Sequence, residues 1–226
     1  MAATTVALMP FDARLATAVR APGPQRSSTL RRGTAIANVA GDPGALIASV
    51  VLFGAGRLGG RPHLAALGLH TGEAIVLGGT ATAVLKVAFG RQRPNVETGD
   101  GDDFAPTQGR RAGRSSFPSG HTAAAFAFAS AAAADLRRWH PPAARVANPL
   151  LYAGAAAVGV ARMYDNKHWA SDVVLGAGIG TLAGTQVAAY ARAHPHNRVE
   201  RLLGTLTVAT AGDGRGIAFG VRPTTR

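Results

Sequence analysis

The chain has 226 residues, a length that favours a single domain. With 47% hydrophobic and 16% charged residues and a mean hydropathy of +0.11, its composition lies between those of soluble and polytopic membrane proteins. Its 24 basic and 12 acidic residues give a net charge of +12, which favours an anionic partner such as nucleic acid, an acidic membrane surface or a phosphorylated substrate. The absence of cysteine excludes disulfides, a thiolate nucleophile and zinc sites with cysteine ligands.

The first twenty residues have no basic region followed by a sustained apolar run, so we predict no cleavable signal peptide. Beyond them, apolar segments rich in Ala, Leu, Val and Gly have the length of helices rather than strands. They are either short membrane spans with small interface residues or the core helices of an all-α enzyme, and we favour contact with a membrane. The segments lie at about residues 44–58, 73–90, 121–135, 149–161 and 173–191.

The stretch LKVAFGRQRPN closes the second apolar segment. Lys86 and Arg93 are seven residues apart, so on a helix both side chains leave one face, about 10 Å apart along the axis, and could converge on one anion. Pro94 predicts that this helix ends at Arg93. The alternative is that both cations extend to solvent along apolar surface.

A long polar stretch at residues 95–116 has neither a helical nor a strand period. Its DGDD sequence lacks the remaining positions of a calcium-binding loop. We predict a solvated loop here and no metal site.

The stretch FPSGHTAAAF begins the third apolar segment. Ser119 and Gly120 precede a helical run, and the free N–H groups and positive dipole end of a helix N-terminus bind phosphate well. Gly120 would let an anion approach the backbone closely. His121 then lies in the first turn, beside the anion. The alternative is a serine N-cap followed by a buried histidine with satisfied hydrogen bonds.

The stretch ARMYDNKHWASDVVLG contains His168 and Asp172, which on a helix would share one face. A carboxylate there can hold one ring nitrogen and leave the other free to react. Arg162 supplies a third cation, whereas Trp169 is predicted to pack elsewhere. A lone His–Asp pair is more often structural, but the three stretches together supply what an enzyme needs to handle a phosphoryl group without metal.

These stretches resemble the superfamily of type 2 phosphatidic acid phosphatases, bacterial nonspecific acid phosphatases and vanadium haloperoxidases. The family signature is Lys, six residues, Arg-Pro; Pro-Ser-Gly-His; and Ser-Arg, five residues, His, three residues, Asp. The resemblance covers about residues 35–192, and it departs at Ala161, where the family has serine. The matching residues are Lys86, Arg93 and Pro94; Pro118, Ser119, Gly120 and His121; and Arg162, His168 and Asp172.

The resemblance implies an all-α fold, a helical bundle in which the three motifs converge at one end. With the apolar segments, we expect about five to six core helices associated with a membrane. We predict one domain over residues 1–226, with a phosphatase core at about 35–192 and a C-terminal appendage at 193–226. Alternating β-favouring residues around GDGRG predict a β-hairpin in that appendage.

The resemblance also implies a mechanism without a cofactor or metal. His168, neutral and oriented by Asp172, attacks phosphorus to form a phosphohistidine, while His121 protonates the leaving group and later activates water. The rate should then have a bell-shaped dependence on pH. Ala161 is expected to alter hydrogen bonding around the site rather than abolish activity. The groups implied to hold the phosphoryl oxygens are Lys86, Arg93, Ser119, the Gly120 amide and Arg162.

Four functions are compatible with these patterns. The first is a membrane phosphatase for a lipid phosphate or lipid pyrophosphate, whose site we place outside the cytoplasm by analogy. The second is a soluble periplasmic acid phosphatase of broad specificity, acting on small phosphate esters. The third is a vanadate-dependent haloperoxidase. The fourth is a basic, non-enzymatic protein that binds nucleic acid or anionic lipid; only the charge supports it, and we expect no nucleic acid partner. The sequence indicates no oligomeric state.

Overall fold

The computed structural model describes residues 2–96, 101–195, 197, 199, 201–202, 206–210 and 217–221. A 3₁₀ turn at Met9–Phe11 joins the first two helices, and a π-helical turn at Ala40–Gly44 joins the fourth and fifth. The helices are α1 Ala2–Leu8, α2 Asp12–Arg20, α3 Pro22–Arg26, α4 Ser28–Val39, α5 Ala45–Leu58, α6 Pro62–Phe89, α7 Gly120–Trp139, α8 Pro141–Tyr164 and α9 Ala170–Ala193.

The long helices form the predicted bundle, with α7 at its centre against α6, α8 and α9. The inward side of α7 consists almost entirely of alanine, and Ala123, Ala127 and Ala131 are fully buried. Side chains this small let neighbouring helices approach closely, as in membrane helix bundles. The all-α prediction is confirmed, with α4–α9 as the larger helices among the described residues.

Large apolar side chains lie on the outside of this bundle rather than in its core. Ile47, Val50, Val76 and Leu182 are all more than half exposed, on helices whose inward faces carry small residues. Three helical stretches of the described chain are long and apolar enough to cross a membrane: Ser28–Leu58, Pro62–Phe89 and Ala170–Ala193. An apolar outer surface of this kind is suited to lipid, so the predicted membrane association is confirmed.

The helices extend beyond the apolar segments that predicted them. The helix α6 starts at Pro62, well before residue 73, and α8 starts at Pro141 rather than near residue 149. Proline is tolerated in the first turn because its missing N–H would have no partner in the helix there. The chain therefore leaves α7 at Trp139 and begins α8 at Pro141.

The C-terminal segment contains the expected hairpin strands. Strand β1, Leu206–Thr210, pairs with β2, Ile217–Val221, in antiparallel register, with Leu206 opposite Val221. The turn predicted at GDGRG falls on residues 211–216, which lie outside the described residues. The limits of the phosphatase core and of the appendage stay predictions.

Successive long helices run in opposite directions, and this brings four helix ends together. The C-terminal ends of α6 and α8 lie at the same end of the bundle as the N-terminal ends of α7 and α9. Each of the sequence motifs is attached to one of these ends. The direction of the chain in the bundle therefore gathers residues that are far apart in sequence.

Candidate active site

Hydrogen bonds across the motifs show that the predicted residues converge. The Ser119 backbone N–H donates to the Asp172 backbone carbonyl at 3.0 Å, which ties the start of α7 to the start of α9. Lys86 lies close enough to Arg93 and Arg162 for their charges to interact. The structure therefore brings together all the residues that the three motifs contributed.

Lys86 and Arg93 reach the site by a different path from the one expected. The helix α6 ends at Phe89, because Gly90 takes the left-handed conformation at φ +55°, so the predicted helix end at Arg93 is wrong. A side chain at Gly90 would place its Cβ 2.0 Å from the Ala105 carbonyl oxygen. Arg93 thus lies in the following loop.

The two cations nevertheless converge on one residue of the loop before α7. Lys86 Nζ donates to the Ser115 carbonyl at 2.5 Å, and Arg93 Nη2 donates to the Ser115 hydroxyl at 3.0 Å. The two side chains therefore converge through this loop rather than through helical spacing.

His168 lies in the loop before α9, which begins at Ala170, so it is not on the helix as its spacing from Asp172 suggested, although its ring still lies beside the Asp172 carboxylate. Its Nδ1 is 2.7 Å from the Ser116 carbonyl oxygen and 3.6 Å from Asp172 Oδ2. Because a carbonyl can only accept, Nδ1 carries the proton and Nε2 keeps its lone pair. Burial lowers the pKa of His168 to about 4, against the opposing effect of Asp172, so the ring is neutral at neutral pH.

Asp172 organises the peptide around His168. Its carboxylate accepts from the Trp169 backbone N–H at 2.8 Å, from the Ser116 hydroxyl, and from Arg91 Nη1 at 2.6 Å. Asp172 therefore holds the residue whose carbonyl binds His168. Sequence reasoning missed Ser116 and Arg91, which lie within or beside the motifs but carry no spacing signal of their own.

Trp169 lies next to His168 in the loop before α9. Trp169 is 2% exposed, and its indole Nε1 donates to the Gln92 carbonyl at 2.8 Å. The side chain is buried, as expected, but its ring lies 5.5 Å from the guanidinium carbon of Arg91, and its hydrogen bond to Gln92 fixes the loop that carries Arg93. Ala161, at the position where the family has serine, is fully buried on α8.

Two guanidinium groups at the site have unsatisfied donors. Arg93 Nε and Arg162 Nε are buried and have no hydrogen-bond partner. Arg162 is held through its Nη1, which donates to Asn38 at 3.1 Å. Among the described residues, neither these arginines nor Lys86 has a carboxylate within salt-bridge distance. Buried donors of this kind are costly unless an anion occupies the site.

The start of α7 lies beside the same space, with Ser119 fully buried there. Ser119 occupies the N-cap position, but its hydroxyl pairs with Thr122 Oγ1 at 2.9 Å instead of capping the helix. A Cβ placed on Gly120 would come no closer than 3.9 Å to Lys86, so there is open space beside this backbone.

His121 is partly exposed, with 29% of its side chain accessible, rather than a buried core histidine. Its Nδ1 lies 3.9 Å from Asp42 Oδ2, in the turn between α4 and α5. Burial and the nearby Arg162 charge lower the pKa of His121, while Asp42 opposes them. Sequence reasoning missed Asp42, for which the AGDPG turn residues were the available signal.

A cavity of about 280 Å³ opens beside Lys86 and Gly120. It lies between α5, α6 and α7, and apolar or small residues form most of its wall. In the part of the chain that the structure describes, no group of three histidine or acidic side chains is placed to hold a metal ion. The remaining lining residues are Gly41, Asp42, Leu46, Ile75, Gly79, Thr82, Ala83 and Ala124.

Known proteins similar to this chain in sequence and fold belong to one family of phosphatases. Residues 67–195 match the family model of the PAP2 superfamily, which is more than half of the 226 residues, and the chain belongs to that family. Over 112 residues the chain is 34% identical to the lipid A 1-phosphatase of Porphyromonas gingivalis. That alignment covers 48% of the chain but only 20% of the relative's length.

Two solved structures share the fold. The transmembrane PAP2-type phosphatidylglycerolphosphate phosphatase of Bacillus subtilis has a TM-score of 0.53 and 21% identity, over 86% of this chain and 98% of that one. LpxE of Aquifex aeolicus has a TM-score of 0.54 and 21% identity, over 80% and 96% of the respective chains. The superfamily resemblance inferred from the motifs is confirmed.

Proposed function

We propose that this protein is a metal-independent phosphatase that removes phosphate from a lipid phosphate monoester or pyrophosphate through a phosphohistidine at His168. The observation that carries the proposal is the pair of buried, unpartnered Nε donors of Arg93 and Arg162 beside a neutral histidine. A tetrahedral phosphoryl group supplies acceptors for both donors, and its negative charge complements Lys86, Arg93 and Arg162, for which the described residues provide no salt-bridge partner.

The first chemical step uses the lone pair on His168 Nε2. The bond from Nε2 to phosphorus forms as the bond from phosphorus to the leaving oxygen breaks, and His121 donates its proton to that oxygen. In the second step water loses a proton to His121 and attacks phosphorus. The P–N bond breaks, which releases phosphate and restores both histidines.

The remaining polar groups hold the phosphoryl oxygens during both steps. We assign this role to Lys86, Arg93, Arg162, the Ser119 hydroxyl and the Gly120 N–H. Positive charge and a helix N-terminus placed before the reaction stabilise the charge that develops on these oxygens. The role of Asp172 is to fix the Ser116 carbonyl, and thereby the ring of His168.

A lipid is the substrate class that suits the surroundings of the site. Apolar and small residues line most of the cavity beside Lys86 and Gly120, and three stretches of the described chain can span a membrane. A phosphate on a lipid can reach the helix ends while its chains remain against the apolar surface. The relatives named above for lipid A and phosphatidylglycerolphosphate support this choice.

The test of the reaction is phosphate release from a short-chain phosphatidic acid by purified protein in EDTA. His168→Ala is expected to abolish release, whereas His140→Ala, which changes an exposed histidine at the opposite end of the bundle, should retain it. Rapid quenching should trap an acid-labile, alkali-stable phosphoenzyme in the wild type alone. Equal release by wild type and His168→Ala, or a strict requirement for a divalent metal, would contradict the proposal.

We also propose that the site faces outside the cytoplasm. Because the chain has no cysteine, single cysteines can be introduced without a background of reactive thiols. Arg110→Cys lies in the exposed loop near the site, and Arg61→Cys lies between α5 and α6 at the other end. A membrane-impermeant maleimide should label only Arg110→Cys in intact cells and both variants after lysis; the reverse pattern would place the site inside.

A further inference from the structure

The N-terminal helices α1–α3 form a strap across the loops that carry the site. This strap, residues 2–26, precedes the family match at 67–195. Arg20 Nε donates to Asn166 Oδ1 at 2.7 Å, and its Nη2 donates to the Pro94 carbonyl. The Tyr164 hydroxyl donates to the Pro24 carbonyl at 3.0 Å. The strap therefore contacts the loops on either side of Arg93 and His168.

One side chain of the strap is buried inside this region. Asp12, at the start of α2, is 1% exposed. One of its carboxylate oxygens accepts from the Ser171 backbone N–H at 2.9 Å, and the other accepts from the Ser171 hydroxyl and from Arg91 Nη2 at 2.7 Å. A carboxylate is rarely buried unless it is paired, and here Arg91 provides the paired charge.

Arg91 links Asp12 to the residues around His168. It is fully buried, and its Nη1 donates to Asp172 Oδ1 and to the Ser171 hydroxyl, each at 2.6 Å. Its Nε and Nη2 also donate to the Gly101 carbonyl. One guanidinium is thus shared between two carboxylates, one in the strap and one beside the site.

We propose that Asp12 is a positioning residue for His168, acting through Arg91 and Asp172. By taking part of the charge and hydrogen bonding of Arg91, Asp12 leaves Asp172 free to hold Ser116, whose carbonyl orients the His168 ring. The kinetic consequences of this inference rest on the proposed phosphatase activity. Its effect on the titration of His168 does not depend on that activity.

Replacing Asp12 with asparagine removes a negative charge but keeps the size of the side chain. Arg91 then pairs with Asp172 alone and draws it from the Ser116 hydroxyl. Arg91 then keeps more of its positive charge unneutralised beside Asp172, which makes protonation of His168 harder and moves its titration to lower pH. The charged groups that act on His168 are Asp172 on α9, Lys86 on α6 and Arg162 on α8. Asp172 is in turn paired with Arg91, in the loop after α6, whose second carboxylate partner is Asp12 on α2.

The experiment compares Asp12→Asn with Asp103→Asn in detergent-solubilised full-length protein. Asp103 is a matched control because it also pairs with an arginine, Arg114, at 2.9 Å, but both of these side chains are partly exposed. Phosphate release gives kcat and KM, and ¹⁵N NMR of labelled histidines gives the titration of His168 without relying on turnover. Asp12→Glu, which keeps the charge, tests for rescue.

Asp12→Asn is expected to lower kcat about 10- to 100-fold by misplacing the ring of His168, with little change in KM because Asp12 touches none of the phosphate-binding cations. The His168 titration should move to lower pH, Asp12→Glu should largely restore both quantities, and Asp103→Asn should change neither. A shift of this kind is not produced by a general loss of stability.

An unshifted His168 titration in folded Asp12→Asn would overturn the inference, whatever the activity. A wild type that releases no phosphate would overturn the proposed function instead, while the titration would still decide the role of Asp12. If Asp12→Asn does not fold, Ser171→Ala replaces it, because this change keeps every charge and removes the hydroxyl that Asp12 and Arg91 share. An unchanged kcat in Ser171→Ala would then overturn the inference.

Discussion

The close packing of α9 on α7 predicts a severe effect for Gly180→Ala. A Cβ at this position would lie 2.2 Å from the Ala123 carbonyl oxygen and 2.8 Å from the Ala127 nitrogen, both of them backbone atoms that cannot rotate away. Since an ordinary contact begins near 3.4 Å, α9 must withdraw from α7 by about 1 Å. Overpacking of this kind costs about 1–3 kcal/mol.

The displacement also reaches the site, because the same two helices carry Ser119 and Asp172, which are joined by a hydrogen bond of 3.0 Å. A misplacement of about 1 Å lowers turnover by up to about 100-fold. The assays are thermal unfolding in detergent and phosphate release, for which Gly180→Ala should lower both Tm and kcat.

Gly154→Ala on α8 is the matched control for this substitution. A Cβ there has no heavy atom within 4 Å, so the change should leave activity intact and stabilise the helix by up to about 1 kcal/mol. Unchanged Tm and kcat in Gly180→Ala would refute the tight α7–α9 contact and the argument built on it.

Three further predictions follow from the site. The pKa of His168 is lowered to about 4 and that of His121 is held below its usual value. Hence kcat/KM should rise with pH as His168 loses its proton near pH 4, and it should fall again as His121 loses its proton, with the midpoint of that second change below pH 6.5. A midpoint above pH 7 would assign the acid to another group. Arg162→Lys keeps the charge but loses the buried Nε donor, so steady-state kinetics should show kcat/KM reduced about tenfold or more, and an unchanged value would contradict phosphate binding by this guanidinium. Gly176→Ala places a Cβ 2.5 Å from the Ser119 carbonyl oxygen, at the site, and Gly184→Ala places one 2.6 Å from the Ala127 carbonyl oxygen, farther along α7. Both should lower Tm, but the first should lower kcat much more; equal losses of kcat would contradict the local effect.

Much of the candidate site was predictable because its chemistry depends on residue types at set spacings. Lys86, Arg93, His121 and His168 stand in the motifs, and their convergence at one end of a helical bundle followed from the family resemblance. The apolar segments predicted the long helices correctly, because an apolar run of that length can cover a helix face that is either buried in the bundle or turned toward lipid. The helix boundaries were less accurate, since Gly90 and the loop at His168 are local backbone features that periodicity does not report.

The contacts that position these residues were not predictable in the same way. Arg91 and Arg93 stand two residues apart and look alike in sequence, yet Arg91 is fully buried between two carboxylates whereas Arg93 keeps an unpartnered Nε. Asp12 is a single aspartate in an alanine-rich N-terminal segment with no motif around it. Only the packing of the strap against α9 makes it a partner of Arg91.

By itself the sequence determined the long helices, through the length of its apolar segments, and the identity of the groups at the site, through motifs whose resemblance to a known family implied the helical bundle. The tertiary structure alone decided that the Ser116 carbonyl orients His168, that Arg91 joins Asp172 to Asp12, and that small residues let α9 lie against α7. The reason is physical: a hydrogen bond or a buried ion pair depends on distances of about 3 Å between segments far apart in the chain, and these distances exist only once the helices have packed.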